Sequence, residues 1–256
     1  MINKMNTRQK VEDFYKGDSK LLFNFAALHS GRQHILSFLK NQPKDFKVLD
    51  IGCGADIWSF EVVDLAVDIY EEHQVRRVVE GKPQPVDLSN ITFFGKVDLT
   101  RESGWQKIID YTKQHGMFDF VICSHFLEDV ALPELVLEFM PKVAKSGFIA
   151  TPSAHNELGP GRSGQTHGAK GYDHHLTIFH PSYKHSEQGE LLVIPKYSHV
   201  EHVNYKISRD VNDQEVQVFW KDEIPHSNIF DYLEKIKSKL VGKQYWYIYQ
   251  RLSFLK

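Results

Sequence analysis

The sequence predicts an α/β fold built on a Rossmann-like, mostly parallel sheet with helices on both faces, and three observations carry that expectation. Lys47-Val48-Leu49-Asp50-Ile51 reads as a buried strand running straight into a glycine turn, Gly52-Cys53-Gly54. A second apolar run from Val62 to Val67 ends in Asp68. Farther on, strand-like and helix-period segments alternate from Phe118 to Ser153, as parallel strands joined by crossover helices do.

Residues 1–45 carry helix-like patterns, including Leu21 to Leu28 and His34 to Leu39, and are expected to form a helical cap over the ligand-binding edge. In the glycine turn, Gly52 and Gly54 allow backbone to approach a ligand where a Cβ would block it, which points to an adenosine-containing cofactor. A purely structural turn is the plain alternative. A dinucleotide fingerprint needs a third glycine at position 57, and Ile57 stands there, which counts against a nicotinamide-dependent oxidoreductase. The segment between Gly54 and Asp68 is too short for a full crossover helix, so a brief turn or truncated helix is expected. Asp68, at the tip of the second strand, can accept hydrogen bonds from both hydroxyls of a ribose. Ile91 to Phe94 reads as the third strand, followed by Gly95-Lys96-Val97-Asp98-Leu99. Phe118 to Cys123 reads as the fourth, leading into Ser124-His125-Phe126-Leu127-Glu128-Asp129. A helix from Leu132 to Lys145 and a fifth strand from Gly147 to Ser153 complete the α/β core, residues 46–153.

Residues 154–256 begin with a polar loop rich in glycine and histidine. Strands are then expected at Glu190 to Ile194 and Glu215 to Trp220, a helix from Ile229 to Leu240, and a last strand at Tyr245 to Tyr249. These elements are expected to complete the same domain.

Taken together, strand, Asp-x-Gly-x-Gly turn, second strand and acid resemble a class I S-adenosylmethionine-dependent methyltransferase. Ser124-His125-Phe126-Leu127-Glu128-Asp129, Thr151-Pro152-Ser153 with Glu157, and the pair His174-His175 are similar to a subgroup found in bacterial surface-polysaccharide gene clusters. An Arg-Trp pair that often follows the two histidines in that subgroup is replaced by Leu176-Thr177. The resemblance spans residues 46–195 and implies a seven-stranded sheet with one antiparallel strand. It implies S-adenosylmethionine held by Asp50, Gly52, Cys53, Gly54, Asp68, Ile69, Asp98, Leu99, Ser124 and His125, with Asp68 on the ribose and Asp98 near the adenine. The acceptor it implies is a small polar molecule: a sugar, a sugar nucleotide or a phosphorus-containing precursor, methylated on oxygen. A methyltransferase-like binding subunit without activity is a further alternative.

Eight of the chain's 14 histidines lie between residues 155 and 202, so the acceptor side is where titratable groups gather. Three readings of this segment compete. His174 or His175 can act as general base on an acceptor hydroxyl, with His125 as a further catalytic candidate. Alternatively, His174 and His175 hold a divalent metal with Asp129 or Glu157 supplying the carboxylate. The third is a solvated loop with incidental histidines. His125 can instead cap the helix that follows it. Trp58 and Phe60 suit either the wall of a cofactor site or the core. Arg76 and Arg77 suit either an anion site or, as is usual for a charge pair on a helix, a solvated face.

Composition narrows the function class. A 256-residue chain with 41% hydrophobic residues can bury a sizeable core, and a formal net charge of -2 gives no general pull toward nucleic acid or anionic membrane. The first residues lack an apolar signal core and no segment has the length of a membrane span, so a cytoplasmic enzyme is expected. Cys53 and Cys123 are expected as small buried residues, not as a disulfide.

Overall fold

A computed structural model describes residues 7–55, 57–79, 82–85, 88–158, 172, 174–182, 189–196 and 214–236. The N-terminal segment forms helix Thr7–Lys16 (α1), strand Leu21–Ala26 (β1) and helix Ser30–Lys40 (α2). Strands Val48–Ile51 (β2) and Leu65–Val67 (β3) follow, then a hairpin of Arg76–Val79 (β4) and Lys82–Pro85 (β5), and strand Thr92–Phe94 (β6). Helix Glu102–His115 (α3), strand Phe120–Ser124 (β7), helix Pro133–Val143 (α4) and strand Ser146–Pro152 (β8) make up the middle of the chain. After a one-turn helix, Ala154–Glu157 (α5), come strands Thr177–Ser182 (β9), Glu190–Pro195 (β10), Glu215–Lys221 (β11) and His226–Asn228 (β12), and helix Ile229–Ile236 (α6).

The main sheet has seven strands in the order β1-β11-β8-β7-β2-β3-β6. From β8 to β6 every pairing is parallel, and β11 runs antiparallel to both β8 and β1. The fold is therefore the expected Rossmann-like α/β sheet with one antiparallel strand. Its inner strands, β2, β3, β7, β8 and β11, are buried on both faces, and the two faces are separated by the period of two. Val48, Phe120, Ile122, Phe148 and Phe219 pack with Ile35 and Leu39 of α2 and with Val11 and Phe14 of α1. Leu49, Ile51, Val121, Cys123 and Ile149 face the other way, against Trp105 and Ile108 of α3 and Val136, Leu137 and Met140 of α4. Trp105 is fully buried and its indole N–H donates to the Leu99 carbonyl at 2.9 Å, so its one polar atom is satisfied.

Three expectations are corrected. Leu21 to Ala26 is an edge strand, not a helix of a cap: Leu21, Phe23 and Phe25 pack on one face of the sheet and Leu22 on the other, a strand's alternation. This N-terminal strand fills the sheet edge; the expected strand at Tyr245 to Tyr249 lies outside the described residues. Arg76 and Arg77 lie on β4, paired with Pro85 and Gln84 of β5, where prolines at 83 and 85 rule out a continuing helix. Glu190 to Ile194 belongs to a separate three-stranded sheet, β12-β10-β9, and not to the main one. That sheet joins the main core through Phe179, Leu191 and Val193. Between Gly54 and Asp68 the described residues make turns without a helix, as the short spacing predicts. The helix beginning at Ile229 is described as far as Ile236.

Candidate functional site

Because β2, β3, β7 and β8 are parallel, the segments leaving their carboxyl ends meet at one edge of the sheet, where open α/β sheets place ligands. Ile51 leads into the glycine turn, Val67 into Asp68, Ser124 into His125 and Pro152 into Ser153 and α5. Being antiparallel, β11 contributes its first residue, Glu215, to this same edge, opposite Pro152 and Ala26.

Gly52 and Gly54 both adopt positive φ, +62° and +69°, which a glycine accepts without strain. A Cβ at Gly52 would overlap the ring of Phe126, so the close approach here is made by that side chain. Asp68 is buried and braces the turn: Oδ2 accepts from the Gly54 N–H at 2.8 Å and Oδ1 from the Tyr70 N–H at 3.1 Å. Each carboxylate oxygen keeps a second lone pair for a ligand hydroxyl. Asp50 is buried in β2, accepts from the Ser59 hydroxyl, and is raised to about 7 by burial, with the nearby Asp68 charge adding to the effect. Asp98 is held below the ordinary carboxylate range by the hydroxyl and N–H of Thr100, and it also pairs with Arg101 at 3.0 Å. Ile69 is 61% exposed, whereas Leu99 and Cys53 are buried and belong to the core; both cysteines are free thiols. The Ser124 hydroxyl is buried without a hydrogen-bond partner. Trp58 packs on the α2 side of the sheet, where Arg32 lies 5.5 Å from its ring centroid, and Phe60 packs beneath the turn. A cavity of about 550 Å³ opens beside the turn, lined by Ala55, Tyr70, His73, Gln74, Val75, Arg76 and Gln84.

On the other side of β2, past β7, lies a second cavity of about 280 Å³, lined by Leu28, His29, His125, Glu128, Asp129, Pro152, Tyr172, His174 and His175. His125 sits in the left-handed region, φ 55°, immediately after β7. Its Nε2 bonds to Glu215 Oε2 at 2.9 Å, and its Nδ1 lies 3.2 Å from Glu128 Oε1. Burial alone would lower His125, but the two buried carboxylates outweigh it and raise it to about 9. His125 is thus a cation at neutral pH with both ring nitrogens committed, and its ring acts as a donor. The ring of His29 packs edge-on against it at 4.4 Å, and burial with the charge of Arg32 lowers His29 to about 4. Glu215 also accepts the His29 N–H at 2.8 Å.

His174 and His175 enter from the segment before β9. His175 is buried and its Nδ1 bonds to Glu157 Oε1 at 2.8 Å, while Lys196 Nζ donates to Glu157 Oε2 at 2.6 Å and to the Tyr172 carbonyl at 2.7 Å. Burial pushes Glu157 up, but His175 and Lys196 more than offset it, so the carboxyl stays below its ordinary value. His174, at the mouth, has a 68% exposed side chain. Of the other histidines singled out, His155 stacks on Phe25 and the His180 ring lies tilted 6.1 Å from it, while His167, His185, His199 and His202 lie outside the described residues.

The structure brings His125, Asp129, His174 and His175 around one cavity, with Glu157 behind His175. It adds His29, Glu128, Glu215 and Lys196, which sequence reading did not single out. Glu128 stood inside the quoted Ser-His-x-Leu-Glu-Asp run; Glu215 and His29 are 186 residues apart and meet only through the pairing of β1 with β11.

No protein-family model matches the sequence, and no curated protein does. Among solved structures the chain is similar to a cyclopropane-fatty-acyl-phospholipid synthase-like protein from Lactobacillus casei, with a TM-score of 0.33 and 16% identity over 60% of this chain and 58% of that one. It is also similar to a SAM-dependent methyltransferase from Anabaena variabilis, with a TM-score of 0.36 and 8% identity over 60% of this chain and 65% of that one. A third likeness is to the N-terminal domain of EvdMO1 with SAH bound, with a TM-score of 0.37 and 12% identity over 85% of this chain and 97% of that one. The chain spans less than two thirds of the first two of these structures. Among the described residues no helix is long and apolar enough to cross a membrane.

Proposed function

We propose that this protein is an S-adenosylmethionine-dependent methyltransferase that methylates a hydroxyl of a small polar acceptor, a sugar, sugar nucleotide or phosphorus-containing precursor, in surface-polysaccharide modification. The observation that carries this reading is the pair of cavities on either side of the Gly52–Gly54 turn at the carboxyl edge of one sheet. The larger one adjoins Ala55 and Tyr70, next to the turn and Asp68, and suits an adenosine. The smaller is lined by titratable side chains and suits an acceptor.

The chain fits the cofactor where it can be tested. Asp68 has free lone pairs next to the turn, and Asp50 offers a buried carboxyl nearby that a ligand's ammonium group would pull into its charged form. S-adenosylmethionine would bring a methyl group already activated by its sulfonium. The protein's own share is then to orient the two molecules, which is worth up to ~7–11 kcal/mol of the barrier. An acceptor hydroxyl must also lose its proton, and Asp129, His174 and His175 are the groups lining the acceptor cavity that are free to assist. His125 is already protonated and supplies a fixed positive charge instead.

One observation favours a second reading. The ring of Phe126 fills the space that the missing Cβ of Gly52 leaves, as it would if the turn served packing alone in a methyltransferase-like protein without activity. Methyl transfer from labelled S-adenosylmethionine to a panel of sugars, nucleotide sugars and phosphorylated or phosphonylated sugars separates the two. The methyltransferase reading expects label in at least one acceptor and its loss in His175→Ala. The reading fails if no acceptor is labelled while the cofactor binds.

A further inference from the structure

Asp129 lies at the end of the short 3-10 turn after β7, and His174 and His175 lie just before β9, so distant segments converge here. Asp129 Oδ1 is 3.8 Å from His174 Nε2 and 3.7 Å from His175 Nε2, and the three ligand atoms lie within 4.8 Å of one another. These gaps are too long for hydrogen bonds. They are close to the gaps that a shared cation closes, since ligand atoms at ~2.0–2.2 Å from an ion stand roughly 3.3–3.6 Å apart in a tetrahedral site, a few tenths of an ångström inside those seen here.

The tautomer agrees with a shared ion. Glu157 is a carboxylate and can only accept, so the Nδ1 of His175 carries the hydrogen of their 2.8 Å bond. In the neutral ring the lone pair then sits on Nε2, aimed at an oxygen that is also an acceptor. Two lone pairs facing each other at the wall of a half-enclosed cavity need something positive between them. Glu157 is fully buried and fixed by Lys196, which is how metal-binding histidines are commonly held from behind.

A second, independent observation is Glu128, which lines the same cavity. It is 1% exposed, and its Oε2 has no hydrogen-bond partner. With Asp129 next to it, the cavity wall carries two adjacent carboxylates. The neighbouring group of His29, His125 and Glu215 differs, because His125 Nε2 and Glu215 Oε2 are already joined by a hydrogen bond and the same oxygen also accepts the backbone N–H of His29.

We propose that Asp129, His174 and His175 form a binding site for one divalent first-row cation such as zinc, manganese or iron(II), with Glu157 as the positioning residue that orients His175. Two imidazoles and one carboxylate suit such an ion and leave coordination positions open toward the cavity. An acceptor oxygen bound there would lose its proton more readily. That use of the site rests on the methyltransferase reading; ion binding does not.

The test titrates the full chain, stripped with chelator and without cofactor, with zinc by calorimetry and with cobalt(II) by visible absorption. One equivalent per chain is expected, with tetrahedral or five-coordinate cobalt absorption. His174→Ala removes an exposed side chain and should leave the fold intact while weakening binding at least tenfold, as should Asp129→Asn. Glu157→Gln should weaken it ~10–100-fold. The site is overturned if His174→Ala and Asp129→Asn bind like the parent, or if the parent takes up no ion at a one-to-one ratio. It is equally overturned if His29→Ala abolishes binding while His174→Ala keeps it, which would move the ion to the neighbouring group. Calorimetry with S-adenosylhomocysteine on the same samples reads the cofactor separately, so failure of one reading does not look like failure of the other.

Discussion

Replacing Glu128 by Gln keeps the shape of a buried side chain and removes one of the two negative charges that hold His125 as a cation. His125 faces Glu128 from the 3-10 turn after β7, Glu215 from β11 and His29 from the turn before α2, with Asp129 nearby. Its rise from 6.5 to about 9 is a stabilisation, at ~1.4 kcal/mol per pH unit, on the order of 3 kcal/mol. A raised histidine stabilises the fold fully below about pH 6.5, and that stability is lost as pH climbs through about 9. Asp50, raised to about 7, and His29, lowered to about 4, change charge at or below neutrality, so the range above about pH 7.5 reports mainly on His125. Urea unfolding in chelator should show the parent losing on the order of 2 kcal/mol between about pH 7.5 and 9. The Glu128→Gln protein should lose roughly half of that, because only Glu215 then supports the charge. Taking the difference of the two slopes cancels thiol and tyrosine ionisation common to both. Equal losses in parent and variant would refute the assignment of His125 as a cation held by Glu128.

Other outcomes follow from single contacts. Trp105→Ala empties a fully buried site and orphans the Leu99 carbonyl, so urea unfolding should register a loss of ~3–5 kcal/mol; a loss under ~1 kcal/mol would contradict the packing. In Gly52→Ala the new Cβ must displace the Phe126 ring and hold φ near +62°, and a cost of at least ~1–3 kcal/mol is expected, with unchanged thermal stability as the contrary result. His174→Ala and His175→Ala should each abolish methyl transfer on the true acceptor while leaving S-adenosylhomocysteine affinity within a few-fold of the parent. Parental turnover in both would return the segment to a solvated loop.

The parts of the fold that can be read in the sequence are those where one pattern dominates. Val48 to Ile51 and Phe120 to Cys123 are apolar on both faces and flanked by turns, so their identity as central strands is plain. Leu21 to Ala26 hides the same alternation: Leu22 lies between Leu21 and Phe23, so both faces are apolar and the run imitates a helix. Its strand character is set by β11, nearly two hundred residues later. The site divides in the same way. Asp68, His125 and Asp129 stand beside recognisable strand ends, whereas the histidine pair is marked by residue type alone, since the strand that follows it, Thr177–Ser182, lies in a segment that reads as a polar loop. Glu215 opens a strand and His29 follows one, with nothing local to mark either; their role comes from the pairing of β1 and β11 at the ligand edge. Phe126 lay inside a quoted motif, but that its ring covers Gly52 depends on the pairing of β2 with β7, which residue spacing does not encode.

Binding of S-adenosylhomocysteine, measured by calorimetry on the parent and on Asp68→Ala, tests the cofactor site most directly. Asp68 has room to accept from ribose hydroxyls beside its bonds to Gly54 and Tyr70. Loss of a charged acceptor costs ~1.5–3 kcal/mol, so affinity should fall roughly tenfold to more than a hundredfold in a variant that circular dichroism shows to be folded. Tight binding by the parent, no binding of a nicotinamide dinucleotide and that loss in Asp68→Ala is the predicted result. A folded Asp68→Ala that binds as tightly as the parent, or a parent that does not bind S-adenosylhomocysteine, would contradict it.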